Sequence, residues 1–262
     1  MSESKGRKAA VFLSLVLFLA GSAITLSPWL HSLWVNYTMR RDVQAFLSYV
    51  EVEPFTPGER VPDTSVPQEG EAEEPFLPTE HTQLWLDMQT YNQAIFEEGQ
   101  TGLSDPSAYE KASVCLADYG LESEVFGVLS IPKLSIEMPI YLGASKQNMA
   151  NGAAVMGQTS LPIGGSNTNC VLAGHRGWNG AAYFLYINQL EKGDIVTITN
   201  IWETLTYEVV DIQIISPNDV DAIHIQPNRE LLTLLTCHPP ASGGKQRYLV
   251  FCERVYEMED YD

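Results

Sequence analysis

Leu231-Leu232-Thr233-Leu234-Leu235-Thr236-Cys237-His238-Pro239-Pro240, followed by Ala241-Ser242-Gly243-Gly244, is the stretch on which the reading of this chain turns. Residues 231–237 are apolar with little alternation, the pattern of a central strand covered on both faces. The run stops at a cysteine, and the prolines and glycines behind it favour a turn over a continued ladder. A cysteine at the exit of a buried strand is held rigidly while its sulfur faces a loop. A structural cysteine, packed as a small hydrophobe, fits the same pattern, so the surrounding residues decide between the two.

A nucleophilic thiol needs a base to take its proton and fixed donors for the oxyanion that forms on the attacked carbonyl. Arg247 begins the next apolar run, 247–252, and the intervening glycine-containing loop implies a hairpin-like return that brings it beside Cys237. Its planar fork of N–H donors suits an oxyanion or a substrate backbone. Of the five histidines, His238 is adjacent to Cys237 and on an extended backbone points to the opposite face. His31 lies beside an apolar N-terminal run, His81 ends an acidic stretch and His224 sits in a polar turn. His175 follows Cys170-Val171-Leu172-Ala173 through Gly174 and precedes Arg176-Gly177, so glycines allow the sharp turn that carries its ring into a cleft. A plain surface-loop histidine is the alternative for His175, and an ordinary strand-end arginine in water is the alternative for Arg247.

Further out, short β-like runs at 126–131, 138–141, 169–173, 195–200, 206–215 and 248–255 are broken by Gly, Pro and Asn, which predicts a mainly β domain built as a small closed or nearly closed barrel. Residues 9–30 are almost continuously apolar, about the length that crosses a hydrocarbon core of roughly 30 Å as a helix. Lys5, Arg7 and Lys8 precede this run and favour a cytoplasmic N-terminus. A cleaved leader ending at Gly21-Ser22-Ala23 is the competing expectation, and either one exports the remainder of the chain. A short helix is expected over 42–50, an acidic Pro-rich linker after it, and a second helix over 83–97. The net charge of −18 is concentrated in that linker and argues against a nucleic-acid partner. Cys115, Cys170, Cys237 and Cys252 allow two disulfides in an exported domain, so a non-catalytic, disulfide-stapled surface module is a rival reading.

Three motifs together carry a family resemblance: Thr233-Leu234-Leu235-Thr236-Cys237, Gly174-His175-Arg176-Gly177, and an arginine ten positions after the cysteine. They resemble the sortase signature. From about Gly127 to Val255, the stretches Ile131-Pro132-Lys133-Leu134, Pro139-Ile140-Tyr141-Leu142-Gly143, Gly157-Gln158-Thr159-Ser160-Leu161-Pro162 and Leu190-Glu191-Lys192-Gly193-Asp194 are similar to class C members, the pilin polymerases. The resemblance implies a sortase β-barrel with short helices and a Cys237, His175, Arg247 site. It implies a membrane-held cysteine transpeptidase outside the cytoplasmic membrane of a Gram-positive bacterium. Such an enzyme cleaves an LPxTG-like sorting signal through a thioester and passes it to an amine, a pilin lysine or a cell-wall peptide, with no metal or organic cofactor. An exported thiol protease is the remaining enzymatic alternative; the local signatures of papain-like enzymes and of L,D-transpeptidases are missing.

The resulting organisation is a basic cytoplasmic tail at 1–8, an anchor at 9–30, a juxtamembrane helix and acidic linker at 31–82, a helical and lid region at 83–122, the barrel at 123–258 and a tail at 259–262. Class C members commonly carry a lid with Asp-Pro followed by an aromatic residue. Here Asp105-Pro106 is followed by Ser107, with Tyr109 two positions later. As a lid, Asp105 is expected near Cys237 or Arg247; the alternative is a helix start, with the helix over 107–116. Many class C members also have a second membrane segment at the C-terminus, whereas this sequence ends Glu257-Met258-Glu259-Asp260-Tyr261-Asp262, which leaves the choice of amine acceptor open.

Overall fold

The computed structural model describes residues 2–52 and 80–256. The acidic linker proper and the C-terminal tail therefore lie outside the described residues. Among the described residues ten strands form in chain order: β1 Val125–Ile131, β2 Ile136–Leu142, β3 Ala153–Val155, β4 Thr168–Ala173, β5 Arg176–Trp178, β6 Ala181–Tyr183, β7 Ile195–Thr199, β8 Thr204–Ile215, β9 Glu230–His238 and β10 Gln246–Arg254. Eight of them close a barrel in the order β1-β2-β3-β4-β9-β10-β8-β7, with β7 pairing back to β1. The remaining two, β5 and β6, make a separate antiparallel ribbon. The mainly β closed barrel read from the sequence is the fold observed.

β9 is central because two strands flank it, β4 in parallel and β10 in antiparallel register. Its near-continuous apolar character follows from burial on both faces. Leu232 and Leu234 point into the barrel with Leu129, Ile140 and Val196, while Leu235 packs outside with Val171, Ala173, Leu249 and Phe251. Thr233 is accommodated by donating its hydroxyl to Asn169 Oδ1 at 2.8 Å, and Asn169 in turn donates to the Ile223 carbonyl.

Among the described residues two long helices pack against the barrel, besides the short helix Lys146–Asn151. The first, α1, runs unbroken over Ser2–Val52, so the short helix expected at 42–50 is the end of the apolar helix and not a separate element. Pro28 lies inside α1. Proline removes one backbone hydrogen bond but leaves the flanking turns free to continue. Beyond it Val35, Met39, Val43 and Phe46, spaced at three or four residues, bury one stripe against β1 and β2. The preceding part has Leu15, Phe18, Ile24 and Leu30 among its exposed side chains. It is long and apolar enough to cross a membrane. The second helix, α2 over Glu80–Glu97, buries Leu84, Met88 and Ile95. Asn92 of α2 is buried and exchanges two hydrogen bonds with the backbone of Leu161, which fixes the helix to the loop after β3.

Candidate active site

The site begins with the point at which two neighbours of β9 part company. β4 pairs with β9 only as far as Ala173 opposite Leu235, then turns away at Gly174. Gly174 is still tied down, donating its N–H to the Leu235 carbonyl at 3.0 Å and accepting from Thr236 Oγ1 at 2.7 Å. A side chain there would collide with the Phe184 ring at 2.6 Å, so only glycine fits. The ladder ends there, so His175 follows two residues beyond the end of β4 and Cys237 two residues beyond Leu235. On the opposite side β10 continues, and Arg247 is the direct cross-strand partner of Cys237. Cys237 is thus paired with Arg247 on one side and exposed, β4 having left its other flank.

Gly244 completes this corner, although the sequence marks it only as a source of loop flexibility. It adopts φ +79°, and a Cβ built on it would stand 3.0 Å from Arg247 Nη1 and 3.4 Å from Cys237 Sγ. Arg247 Nη1 donates to the Gly244 carbonyl at 2.7 Å and to the Gln246 carbonyl at 3.1 Å. These bonds hold one edge of the guanidinium, and no carboxylate pairs with it among the described residues. Its remaining donors point to no protein acceptor among the described residues, so an incoming carbonyl or oxyanion meets donors already oriented.

His175 is half-buried between two rings: Trp178 stacks on it at 5.0 Å and 24°, and Tyr183 meets it edge-on at 5.6 Å. Burial pushes its pKa below the ordinary histidine value, so the neutral ring, which can accept a proton, is favoured. His238 is held elsewhere. Its Nδ1 is 3.1 Å from Arg176 Nη1, and its ring lies 5.6 Å from Tyr248. Arg176 is the motif residue of this corner to which the sequence reading assigns no role. Its buried guanidinium reaches Asn188 Oδ1 at 2.8 Å and covers the Tyr248 ring at 4.8 Å, linking the His175 turn to β9 and β10. Desolvation lowers its pKa. Of the other histidines, His81 contacts Tyr49, His224 lies 3.8 Å from Asp221, and His31 of α1 meets Trp178 edge-on at 6.1 Å.

A cavity of about 240 Å³ opens beside Cys237 and Arg247 on the outer face of the barrel. Ala173, Leu235 and Met156 contribute to its lining, as do Val220 and Ile223 from the loop after β8. The segment expected as a lid supplies Pro106 and Tyr109 to the same cavity. It forms 3₁₀ turns at Thr101–Ser104 and Pro106–Glu110, and the α-helix considered over 107–116 is not formed. Two glycines of the sequence motifs explain how it seats. A Cβ on Gly143 would be 2.7 Å from the Ala112 nitrogen, and one on Gly157 2.2 Å from the Ala108 carbonyl oxygen. The Tyr109 carbonyl accepts from Ala144 and Gly157 N–H groups at 2.8 and 3.0 Å. Asp105 departs from expectation: its carboxylate accepts from the Ser107 N–H and hydroxyl, both at 2.9 Å, and forms no ion pair with Arg247. Ser107 offers these two donors within the turn, so the carboxylate is satisfied locally, and they hold its pKa below the usual carboxylate range.

All four cysteines are free. Cys170 and Cys252 both face the barrel interior and both lie opposite Leu232, one on each side. Two strand spacings of roughly 4.8 Å separate them, beyond the roughly 7 Å Cα limit of a disulfide. Burial pushes both thiols up, the opposite of what a nucleophile requires.

Residues 129–255 match the family model described as the sortase domain. Over 131 residues the chain is 32% identical to Sortase D of Bacillus subtilis (strain 168), a match covering 49% of this chain and 63% of that protein. It is 31% identical over 133 residues to Sortase A of Streptococcus agalactiae serotype III, covering 49% of this chain and 52% of that one. The chain thus spans less than two thirds of the length of these two curated relatives. Among solved structures it is similar to the pilus-related sortase C of Group B Streptococcus, at 30% identity and TM-score 0.60, covering 70% of this chain and 93% of that chain. Sortase C from Clostridium perfringens SM101 is similar at 30% identity and TM-score 0.55, with coverage of 70% and 93%.

Proposed function

The chain belongs to the sortase family, and from that membership and its Cys237 corner we propose that it is a membrane-anchored, class C-type cysteine transpeptidase. The observation that carries the reading is the direct pairing of Cys237 with Arg247, with Gly244 packed against both sulfur and guanidinium. That corner holds a nucleophile and oriented donors around one point, which is what acyl transfer requires.

In the proposed reaction an LPxTG-like sorting signal lies in the cavity with its Thr carbonyl against Cys237. Cys237 passes its thiol proton to His175 as the sulfur forms a bond to that carbon, and the developing oxyanion is held by Arg247. The C–N bond to the next residue then breaks, with His175 giving the departing amine its proton. An incoming amine, from a pilin lysine or a cell-wall peptide, passes a proton to His175 and attacks the thioester. The new C–N bond forms as the Cys237 sulfur leaves. Arg176 keeps His238 out of this sequence. Segment 101–110 gates access, with Tyr109 and Pro106 as the groups that occupy the cavity. The exposed apolar part of α1 anchors the enzyme, and the basic residues before it place the barrel outside the cell.

The test is turnover of an LPxTG-like peptide with and without an added amine, read by mass spectrometry. Amine product at the expense of hydrolysis is expected, with loss of both in Cys237→Ala and His175→Ala and retention of most in His238→Ala. Hydrolysis that added amine does not divert would make the chain a thiol hydrolase instead. Dependence on His238 with independence from His175 would refute the assignment of the base.

A further inference from the structure

The β5–β6 ribbon that carries the candidate base rests on the helix that anchors the chain. Trp178 is the contact on both sides. One face of its indole stacks on His175, at 5.0 Å and 24°. His31 of α1 meets the same indole edge-on, at 6.1 Å and 89°, with Trp34 behind it at 6.2 Å. The tip of the ribbon seats on the helix backbone. Gly180, at φ +84°, comes so near α1 that an added Cβ would stand 2.6 Å from the Pro28 carbonyl oxygen and 3.4 Å from Ser32 Cβ. The far side of His175 is closed by Tyr183, whose hydroxyl donates to the Ala150 carbonyl at 2.7 Å.

This arrangement answers a mechanical problem. His175 sits in a turn with glycines on both sides, and glycine gives a turn conformational freedom as well as shape. A base must be held close to its productive geometry, and backbone freedom works against that. The two rings restrict the imidazole, and the ring that stacks on it is itself supported by α1. The support lies at the outer end of the apolar run, where aromatic side chains settle at a membrane–water interface. Trp29 and Trp34 are each 60% exposed there and Trp178 is 40% exposed.

Resting on the reading of His175 as the base, we infer that Trp178 is a positioning residue for His175 and that α1 around Pro28 and His31 is its seat. The membrane helix is then a working part of the active site as well as a tether. The groups facing His175 are Trp178 and Tyr183. Its neighbour Arg176 is turned to His238 and Asn188, and no carboxylate pairs with His175 among the described residues.

The experiment uses the full chain in lipid nanodiscs, with wild type, Trp178→Ala, Trp178→Phe and His31→Ala. Two readouts are taken, steady-state acyl transfer and the NMR pH titration of a histidine-labelled His175 ring. Trp178→Ala should lower kcat about 10- to 100-fold with KM nearly unchanged, the scale of a misplaced catalytic group. Trp178→Phe, which keeps a stacking face, should recover most of the loss. His31→Ala should lower kcat about 2- to 5-fold, the scale of one aromatic contact. In the titration Trp178→Ala should move His175 upward, since the indole contributes to its burial, and His31→Ala should move it in the same direction by less. A change confined to KM, or an unmoved titration in Trp178→Ala, overturns the role of Trp178. An effect in Trp178→Ala with none in His31→Ala overturns the role of the helix. A wild type without acyl transfer would sink the functional reading, and the titration would still judge the seat. Unchanged melting of the variants is the control, and Trp178 is exposed enough for the fold to tolerate its loss.

Discussion

Replacing Gly157 by alanine should open the cleft without touching any group that performs chemistry in it. Gly157 backs the segment that supplies Pro106 and Tyr109. A Cβ there would stand 2.2 Å from the Ala108 carbonyl oxygen and 2.7 Å from that of Lys111. Both are backbone atoms, so no side chain can swing aside, and the segment must retreat by roughly 1 Å to regain van der Waals separation. Gly157 is not among the glycines with positive φ, so alanine adds no strain of its own. The retreat breaks the 3.0 Å bond from the Gly157 N–H to the Tyr109 carbonyl and stretches the 2.8 Å bond from Ala144. Losing one or two such bonds costs about 1–2 kcal/mol, a shift of about 5- to 30-fold toward the open arrangement. Cys237 is exposed even with the segment in place, whereas the apolar floor of the cavity lies beneath Pro106 and Tyr109. The assay therefore compares two reagents on Cys237: iodoacetamide, which needs only the sulfur, and an LPxTG-like peptide, which needs the floor. Peptide acylation should rise by that factor while alkylation stays nearly constant. An equal rise in both, or none with the peptide, would refute the assignment of the segment as a gate.

Arg247→Lys should keep the fold, since the residue is only half-buried at a strand end, and lower kcat/KM by about 10²- to 10³-fold as the oriented fork is replaced by a single point charge; thermal melting and kinetics together check this. The pH dependence of stability stems from His175. Burial holds its folded pKa below the ordinary value, so the unfolded chain takes up the proton first. Its contribution is whole above about pH 6.5 and is lost as the pH falls through that value. The melting midpoint of wild type should thus fall more steeply from about pH 7 to about pH 5.5 than that of His175→Gln, and equal slopes would remove the effect. Cys170→Ser and Cys252→Ser should each cost about 1–3 kcal/mol in urea unfolding, because a hydroxyl replaces a buried thiol without a partner. Cys115→Ser, at an exposed position, should cost little.

The parts of the molecule that announce themselves in sequence are those where one local rule dominates. β9 reads as a doubly covered strand because its apolar run is uninterrupted, and the hairpin return to β10 places Arg247 beside Cys237 from loop chemistry alone. The parts that stay hidden depend on distant partners. β3, β5 and β6 are three residues each, too short to carry a periodicity, and exist because β2, β4 and one another supply their ladders. The parallel pairing of β4 with β9, which ends two residues before His175, joins segments some sixty residues apart. Helix α1 reads as two pieces because Pro28 and the polar residues after it look like a boundary; packing of Val35, Met39, Val43 and Phe46 on the barrel holds it as one. Arg176 stands in the Gly174–Gly177 motif with no role of its own, since contacts of a buried guanidinium with His238, Asn188 and the Tyr248 ring have no local signature. Asp105 misleads in the other direction, because a carboxylate two residues from Ser107 finds donors nearer than Arg247.

In the proposed reaction everything depends on Cys237 becoming acylated by a sorting signal. The direct measurement is the intact mass of the full chain after incubation with an LPxTG-like peptide in the absence of amine, with subsequent peptide mapping and hydroxylamine treatment. The expected adduct carries the peptide through its Thr carbonyl, is confined to Cys237, is released by hydroxylamine and is missing in Cys237→Ala. An adduct on Cys115, Cys170 or Cys252, or one that survives in Cys237→Ala, would contradict it.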